Sequence, residues 1–281
     1  MAADGAQMGR TVEGVIRYFG DAPAKPTFHA QDHDRDNWRP DTHPVTFHDA
    51  RSWTTPPSLG REGFALVPHR TAIKDFGDRE AVRAGYPSEL AELIRGLTGA
   101  KRVVGFPFGH MRFSKRSPRC KTGANSQPAS FPHVDCTPRT AHGLVESKIF
   151  GIAKEELKPG EHLVGYNVWR VISEPPQDTP LAVCDVRTVT REDLIEADGV
   201  YDYDEPPWMT SEAYLVRHSP AHRWAYFKDM RPDEALVFRA YGNERDWIAG
   251  APHCAFDDPT CPAEAGARVS VEARAYAVFD D

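Results

Sequence analysis

The sequence is poor in cysteine, in long apolar runs and in positive charge, and each shortage excludes a class of protein. Its five cysteines are odd in number and show no CxxC spacing, which indicates free thiols in a reducing cytoplasm. No stretch approaches the roughly 20 apolar residues that a membrane-spanning helix requires. Residues 1–5 lack the apolar core of a signal peptide, so we predict a cytoplasmic protein.

The charge balance argues against binding to nucleic acid. The formal net charge is −7, whereas binding to phosphates requires clustered lysine and arginine. A length of 281 residues, with 40% hydrophobic and 27% charged residues, is ordinary for a globular protein with a sizeable core. We therefore predict no binding to nucleic acid and no membrane. The composition leaves a homodimer open.

Short strand-like segments dominate the chain, and its 24 prolines favour loops and strand edges over a helical bundle. Apolar residues recur at helical spacing between Ser88, the predicted N-cap, and Gly99, the predicted helix end. Thr137 and Pro138 predict the start of a second helix. The remaining predicted elements are strands, namely Val12–Phe19, Gly63–Val67, Arg102–Phe108, Leu163–Ile172, Leu181–Val189, Ala213–His218, Arg223–Lys228 and Ala235–Tyr241.

Many strands with short links and few helices predict a mainly β fold. We expect a double-stranded β-helix, the cupin-like jelly roll, with flanking α-helices. We also expect one domain over residues 1–281, in which residues 1–60 pack on the barrel as an N-terminal extension.

The clearest strand runs from Arg268 to Phe279 and alternates strictly between an apolar and a polar face. The polar face carries Arg268, Ser270, Glu272, Arg274 and Tyr276. An exposed edge strand would show the same alternation. We favour a strand that lines a polar cavity, because its other face is wholly apolar.

A histidine and an aspartate separated by one residue, His133 and Asp135, suggest a metal site. On an extended strand, residues two positions apart project from the same face, while Val134 points the other way. Chance alone would give about two such pairs from 12 histidines and 41 acidic residues, so the motif by itself is weak. His253 is the best third ligand. Two histidines and one carboxylate form the facial triad of non-haem Fe(II) oxygenases, which leaves positions open for a cosubstrate and O₂.

Activation of O₂ at such a site needs an electron source, most often 2-oxoglutarate. Its keto oxygen and one carboxylate chelate the iron, and its distal carboxylate then requires a fixed cation. Arg268 and Ser270 supply a guanidinium and a hydroxyl on one face, and Arg274 on the same face is the second choice. Glu272 could instead pair with either arginine as a structural ion pair.

Two segments are predicted to reach the mouth of the barrel, where the substrate binds. The first is a basic, polar loop that begins with His110 and Arg112 and continues to Lys121. The second runs from Asp202 to Tyr214 and includes Trp208. A closing loop of this charge would suit a ligand with a carboxylate or another acidic group. A solvated basic loop is the alternative.

An ordered set of segments resembles the hydroxylase/desaturase family of natural-product biosynthesis, found in fungal and bacterial clusters such as those for aspergillic acid and cephamycin methoxylation. The matching segments are Phe47–Arg51, Gly63–Val67, His133–Asp135, Asn167–Arg170, Pro180–Asp185, His222–Phe227, Pro232–Ala235, Pro252–His253 and Arg268–Arg274. The resemblance implies a double-stranded β-helix, Fe(II) and usually 2-oxoglutarate. It also implies that Asn167 and Arg170 lie on a strand near the cosubstrate or substrate, although the two cannot share a face.

The sequence thus predicts an Fe(II)- and 2-oxoglutarate-dependent oxygenase that hydroxylates or desaturates a small natural product or its precursor. Two alternatives belong to other classes. A cupin-like metal enzyme would keep the triad without using 2-oxoglutarate, and a catalytically silent protein would use the barrel to bind a biosynthetic enzyme.

Overall fold

The computed structural model describes residues 9–30, 32–122, 126–146, 158, 160–201, 209–242 and 250–280. Strands are the main regular element of the described chain, and two α-helices accompany them. The predicted mainly β jelly roll is confirmed. Within these ranges, no helix is long and apolar enough to cross a membrane.

The larger sheet has nine strands in the order β1-β3-β12-β9-β14-β7-β11-β10-β2. It is mixed, because β3 pairs with β12 and β10 with β2 in parallel, while the other pairs are antiparallel. Its strands are β1 (Thr11–Asp21), β2 (Thr27–His29), β3 (Arg39–Asp49), β7 (His133–Val134), β9 (Leu181–Cys184), β10 (Leu194–Tyr201), β11 (Met209–Val216), β12 (Trp224–Tyr226) and β14 (His253–Ala255). The segment predicted as an N-terminal extension therefore contributes three strands to this sheet.

The smaller sheet has six strands and is antiparallel. Five follow the order β4-β13-β8-β15-β5, and the sixth, β6, also pairs with β15. Its strands are β4 (Phe64–Pro68), β5 (Arg102–Gly105), β6 (His110–Phe113), β8 (Glu161–Val171), β13 (Glu234–Gly242) and β15 (Val269–Asp280). His110 and Arg112, predicted on a loop, thus lie on a strand.

The inner faces of the two sheets share one apolar core. On β9, Leu181 and Val183 join this core, whereas Ala182 and Cys184 pack on the other side of the larger sheet. On β8, Trp169 joins the same inner core from the smaller sheet, while Val168 faces outward. Alternate residues of each strand therefore point into the space between the sheets, where the predicted metal ligands also lie.

The helix α1 (Arg79–Thr98) covers the outer face of the smaller sheet. Its N-cap is Asp78, whose carboxylate accepts hydrogen bonds from the amides of Glu80 and Ala81, so the predicted N-cap at Ser88 is wrong. The helix begins well before the apolar repeat on which that prediction was based, and it includes Pro87 in its interior. The predicted end is confirmed, because Gly99 adopts a left-handed conformation with φ 70°. The second helix, α2 (Pro138–Glu146), begins where Thr137 and Pro138 predicted it.

The strand β15 lies inside the smaller sheet, between β8 and β5, and is not an exposed edge. Its apolar face, with Val271, Ala273, Ala275 and Ala277, packs into the core beneath α1. The opposite face points toward the space between the sheets. The predicted alternation is therefore confirmed, and it places a row of charged side chains inside the barrel.

Candidate metal centre

The two histidines of the predicted triad come from neighbouring strands. His133 on β7 pairs directly with His253 on β14, and their ring centroids are 4.3 Å apart. Val134, between His133 and Asp135, is fully buried on the other side of the sheet. Gly250 lets the β14 segment approach closely, because a Cβ there would collide with the Ala240 carbonyl. Sheet pairing thus brings together residues that are far apart in the sequence.

Hydrogen bonds orient both imidazoles toward one point. Nδ1 of His133 lies 3.1 Å from the Phe131 carbonyl, and Nδ1 of His253 lies 3.1 Å from the Ala251 carbonyl. Each Nδ1–H donates to its carbonyl, so each Nε2 carries the free lone pair. Both Nε2 atoms lie 3.7 Å from carboxylate oxygens of Asp135.

The three residues fit a metal ion. One potential ligand atom from each lies within 4.8 Å of the others, and all three residues are buried. Nε2 of His253 is buried without a hydrogen-bond partner, a costly arrangement that metal coordination would relieve. No other group of this kind occurs in the part of the chain that the structure describes.

The protonation states of the triad suit a metal ligand set. Burial, together with the neighbouring His253, lowers the pKa of His133 to about 4, and burial also lowers the pKa of His253. Burial acts to raise the pKa of Asp135, but Arg274, the two histidines and Asn167 together hold it well below its usual range. At neutral pH the site therefore offers two neutral imidazoles and one carboxylate, the forms that bind metal.

Asn167 and Arg274 hold the carboxylate of the triad. They face each other across β8 and β15, and Nε of Arg274 donates to Oδ1 of Asn167 over 3.1 Å. Nη2 of Arg274 lies 2.9 Å from Oδ1 of Asp135, and the Asn167 amide donates to the other oxygen. Both residues were predicted to bind the cosubstrate. In the structure both contact Asp135, an arrangement that suits the orientation of a metal ligand.

Arg268 and Ser270, two residues apart on one face, both carry buried polar groups without a partner. Arg268 is 1% exposed and Ser270 is fully buried, yet Nε and Nη2 of Arg268 and Oγ of Ser270 have no hydrogen-bond partner. Arg268 lines this pocket together with His133 and His253. Groups of this kind are rarely left unpaired in the folded state, so they suit a ligand with a carboxylate.

Comparison with known proteins is consistent with this geometry. A family model described as "Oxidoreductase/YMDC permease-like domain" matches residues 16–279. The chain is 32% identical over 247 residues to the Fe(II)/2-oxoglutarate-dependent dioxygenase nvfI of Aspergillus novofumigatus, covering 85% of this chain and 83% of that protein. It is 30% identical over 258 residues to the hydroxylase/desaturase efuI of Hormonema carpetanum, covering 85% of each.

The fold also matches a solved structure, that of the iron and alpha-ketoglutarate-dependent endoperoxidase NvfI. The TM-score is 0.79 at 24% identity, over 96% of this chain and 99% of that one. The chain belongs to the hydroxylase/desaturase family of Fe(II)/2-oxoglutarate-dependent dioxygenases.

As a member of this dioxygenase family, the chain uses Fe(II), 2-oxoglutarate and O₂, and its substrate is a small molecule. The predicted enzyme class and cofactors are confirmed. The alternatives of a metal enzyme without 2-oxoglutarate and of a silent binding protein are not supported.

The predicted substrate residues that the structure describes lie on opposite faces of the smaller sheet. In the register of β6 and β15, His110 lies opposite Glu272 and Arg112 lies opposite Ser270. His110 and Arg112 therefore both belong to the inner face. Arg170 points outward from β8 and binds His69 and the Tyr86 hydroxyl beneath α1.

The prediction for Arg170 is corrected, because strand alternation places it on the face opposite Asn167. Trp208 lies outside the described residues.

Sequence reasoning missed Asp178, which fixes the start of β15. Its carboxylate accepts hydrogen bonds from the backbone amide of Arg268 at 2.8 Å and from the hydroxyl of Ser114 at 2.6 Å. It lies in a turn rich in proline and polar residues, where no pattern distinguishes it from a surface carboxylate. Only its burial marks it as a positioning residue.

Removal of the support for Asp135 is expected to weaken metal binding. Asn167→Ala and Arg274→Ala should each lower the affinity for Fe(II) by about 10- to 100-fold, because each removes a contact that orients the carboxylate. Anaerobic metal titration measures the effect. Arg170→Ala, on the outer face of β8, is the matched control and should keep the native metal affinity. Native affinity in both inner-face variants would contradict the assigned role.

Proposed function

We propose that His133, Asp135 and His253 hold Fe(II) and that Arg268 and Ser270 bind the distal carboxylate of 2-oxoglutarate. In this proposal, residues 1–281 form one catalytic domain that hydroxylates or desaturates a small natural product or its precursor. The names of the related hydroxylase/desaturases support this type of reaction.

One observation carries the assignment of the cosubstrate site. The Arg268 guanidinium, with Nε and Nη2 unpaired, lines the same pocket as the two triad histidines, and the unpaired hydroxyl of Ser270 lies two residues further along the same face. Burial of an unpaired cation is costly, so this pocket is built for an anion that arrives from solution. A planar guanidinium binds a carboxylate through two parallel hydrogen bonds, which also fixes the orientation of the ligand.

The protein contributes binding and orientation, whereas the bound groups contribute the redox chemistry. When bound, Fe(II) and 2-oxoglutarate activate O₂ and supply the oxidant that removes a hydrogen atom from the substrate. The Asn167–Arg274 pair keeps Asp135 ionised and aimed at the metal position. The Cζ atom of Arg268 lies 5.5 Å from the centroid of the Trp169 ring. This cation–π contact holds the Arg268 side chain in place.

Release of succinate tests this function. The wild-type chain with Fe(II), O₂ and 2-oxoglutarate should convert 2-oxoglutarate to succinate, and a true substrate should accelerate the conversion. A metal enzyme that does not use 2-oxoglutarate would turn over substrate without succinate, and a silent binding protein would release none.

A basic cavity beside the metal pocket supports an acidic substrate. It measures about 480 Å³, and Arg17, Lys115 and Lys121 line it against a single carboxylate, Asp34. These cations form no ion pair within the described ranges, although the whole chain carries a net charge of −7. The segment 127–130 separates the two spaces, since its middle residues line the metal pocket and its end residues line the cavity.

Charge reversal in this cavity is expected to change substrate preference. In the double variant Lys115→Glu/Lys121→Glu, the ratio of the rate with a free acid to the rate with its methyl ester should fall about tenfold, because the new carboxylates repel the acid. Succinate release measured with matched acid and ester pairs reports the preference. Lys74→Glu, an exposed lysine outside both spaces, is the control. An unchanged preference in the double variant would show that the basic segment is only a solvated surface.

A further inference from the structure

Arg112 lies beside the two groups that would bind the cosubstrate. In the antiparallel pairing of β6 and β15, Arg112 is directly opposite Ser270, so the two side chains share a face. Arg112 also lines the metal pocket together with His133, His253 and Arg268. Arg112 and Arg268 therefore line one pocket, and Ser270 lies opposite Arg112 and two residues from Arg268.

Two guanidinium groups line this pocket, and neither forms an ion pair with a described carboxylate. Arg112 donates through Nη1 to the Gln127 carbonyl at 3.2 Å and forms no ion pair within the described residues. Arg268 leaves Nε and Nη2 unpaired. Burial, and next the charge of Arg112, lower the pKa of Arg268 to about 9, which agrees with their proximity.

The acidic residues nearby are already occupied. Asp178 accepts the backbone amide of Arg268 and the hydroxyl of Ser114. Glu272 also lines the pocket, but its carboxylate lies 3.6 Å from Nη2 of Arg274 and forms no ion pair with Arg112 or Arg268. Two like charges in a closed pocket are unfavourable unless an anion lies between them, and one carboxylate has enough lone pairs to accept from both.

We propose that Arg112 is a second guanidinium that binds the distal carboxylate of 2-oxoglutarate, together with Arg268 and Ser270. This inference rests on the proposed cosubstrate site, and it replaces the expectation that Arg112 contacts the substrate. The cosubstrate would thus be bound from both β6 and β15, so the short strand β6 is part of the active site.

Paired ligands test the inference by binding alone. 2-Oxoglutarate and 2-oxovalerate share the 2-oxo acid that chelates the metal, but 2-oxovalerate has a methyl group in place of the distal carboxylate. Both are titrated anaerobically into the Fe(II)-loaded wild type and into Arg112→Gln, which retains a donor for the Gln127 carbonyl. Arg112→Lys retains the charge, and Arg119→Gln, an exposed arginine of the next segment, is the control.

Arg112→Gln is expected to weaken binding of 2-oxoglutarate by about 10- to 100-fold and to leave binding of 2-oxovalerate unchanged. Arg112→Lys should lose less, and the control should match the wild type. Equal losses for both ligands would place Arg112 at the chelating end, and no loss for either would exclude it from the cosubstrate site. Either result overturns the inference.

Arg268→Ala, titrated in parallel, separates this inference from the proposed anchor. If Arg268→Ala changes the affinity for 2-oxoglutarate and for 2-oxovalerate by the same factor, the assignment of Arg268 as the anchor is wrong. The result for Arg112 is read independently from its own pair of titrations.

Discussion

The His133→Ala variant is expected to bind no stoichiometric Fe(II) and to release no succinate from 2-oxoglutarate above background, while its barrel stays folded. The imidazole supplies one of three protein ligands, and its Nε2 faces the other two within 4.8 Å. Two ligands alone do not hold the ion at low concentration, because the entropic cost of ordering it is no longer offset. Metal analysis after anaerobic loading and a succinate assay measure the two effects.

The fold of this variant should survive because the strand around His133 is held by other contacts. Val134 stays buried in the core on the opposite side of the sheet, and β7 keeps its pairing with β11 and β14. His48→Ala, on β3 and away from the pocket, is the control and should keep both metal and activity. Full activity in His133→Ala, or full metal content, would disprove the assignment of the triad.

The Arg268→Ala variant is expected to keep its iron and to lose most of its affinity for 2-oxoglutarate. The substitution leaves the distal carboxylate without its charge-assisted partner, a loss of roughly 2–5 kcal/mol for a buried pair. The dissociation constant should therefore rise by tens to thousands of fold. Anaerobic titration of 2-oxoglutarate into the Fe(II)-loaded protein measures it, and metal analysis checks that the triad is intact.

Arg274→Ala is the informative counterpart of Arg268→Ala, because both side chains lie on the inner face of β15. Arg274 is paired with Asp135 at 2.9 Å, whereas Arg268 has unpaired nitrogens. The first substitution should therefore weaken metal binding, and the second should weaken cosubstrate binding. If Arg274→Ala kept its iron but lost 2-oxoglutarate, and Arg268→Ala did not, the anchor would be the other arginine.

Alternation within single strands was the part of the site that the sequence predicted best. His133 and Asp135 share a face, Val134 takes the other, and the same period of two separates the polar and apolar faces of β15. These relations depend only on the local geometry of an extended chain. They were enough to predict that His133 and Asp135 share a face and which residues of β15 face the interior. The jelly roll was predicted from the many short strands and the few helices.

Contacts between strands were not predictable from the same pattern. Nothing local shows that Arg274 lies opposite Asn167 while Ser270 lies opposite Arg112, because register depends on how the sheets assemble. The sequence therefore favoured Arg268 over Arg274 as the cosubstrate anchor. It could not show that Arg274 pairs with Asp135. The position of Arg112 was missed for a related reason, since a four-residue strand flanked by glycine and serine reads as a loop.

An anaerobic crystal structure with Fe(II) and 2-oxoglutarate tests the proposed site most directly. We expect one metal ion bound by His133, Asp135 and His253, with the distal carboxylate of 2-oxoglutarate bound by Arg268 and Ser270. A metal ion held by other residues, or a distal carboxylate bound by Arg274 and not by Arg268, would contradict the proposal.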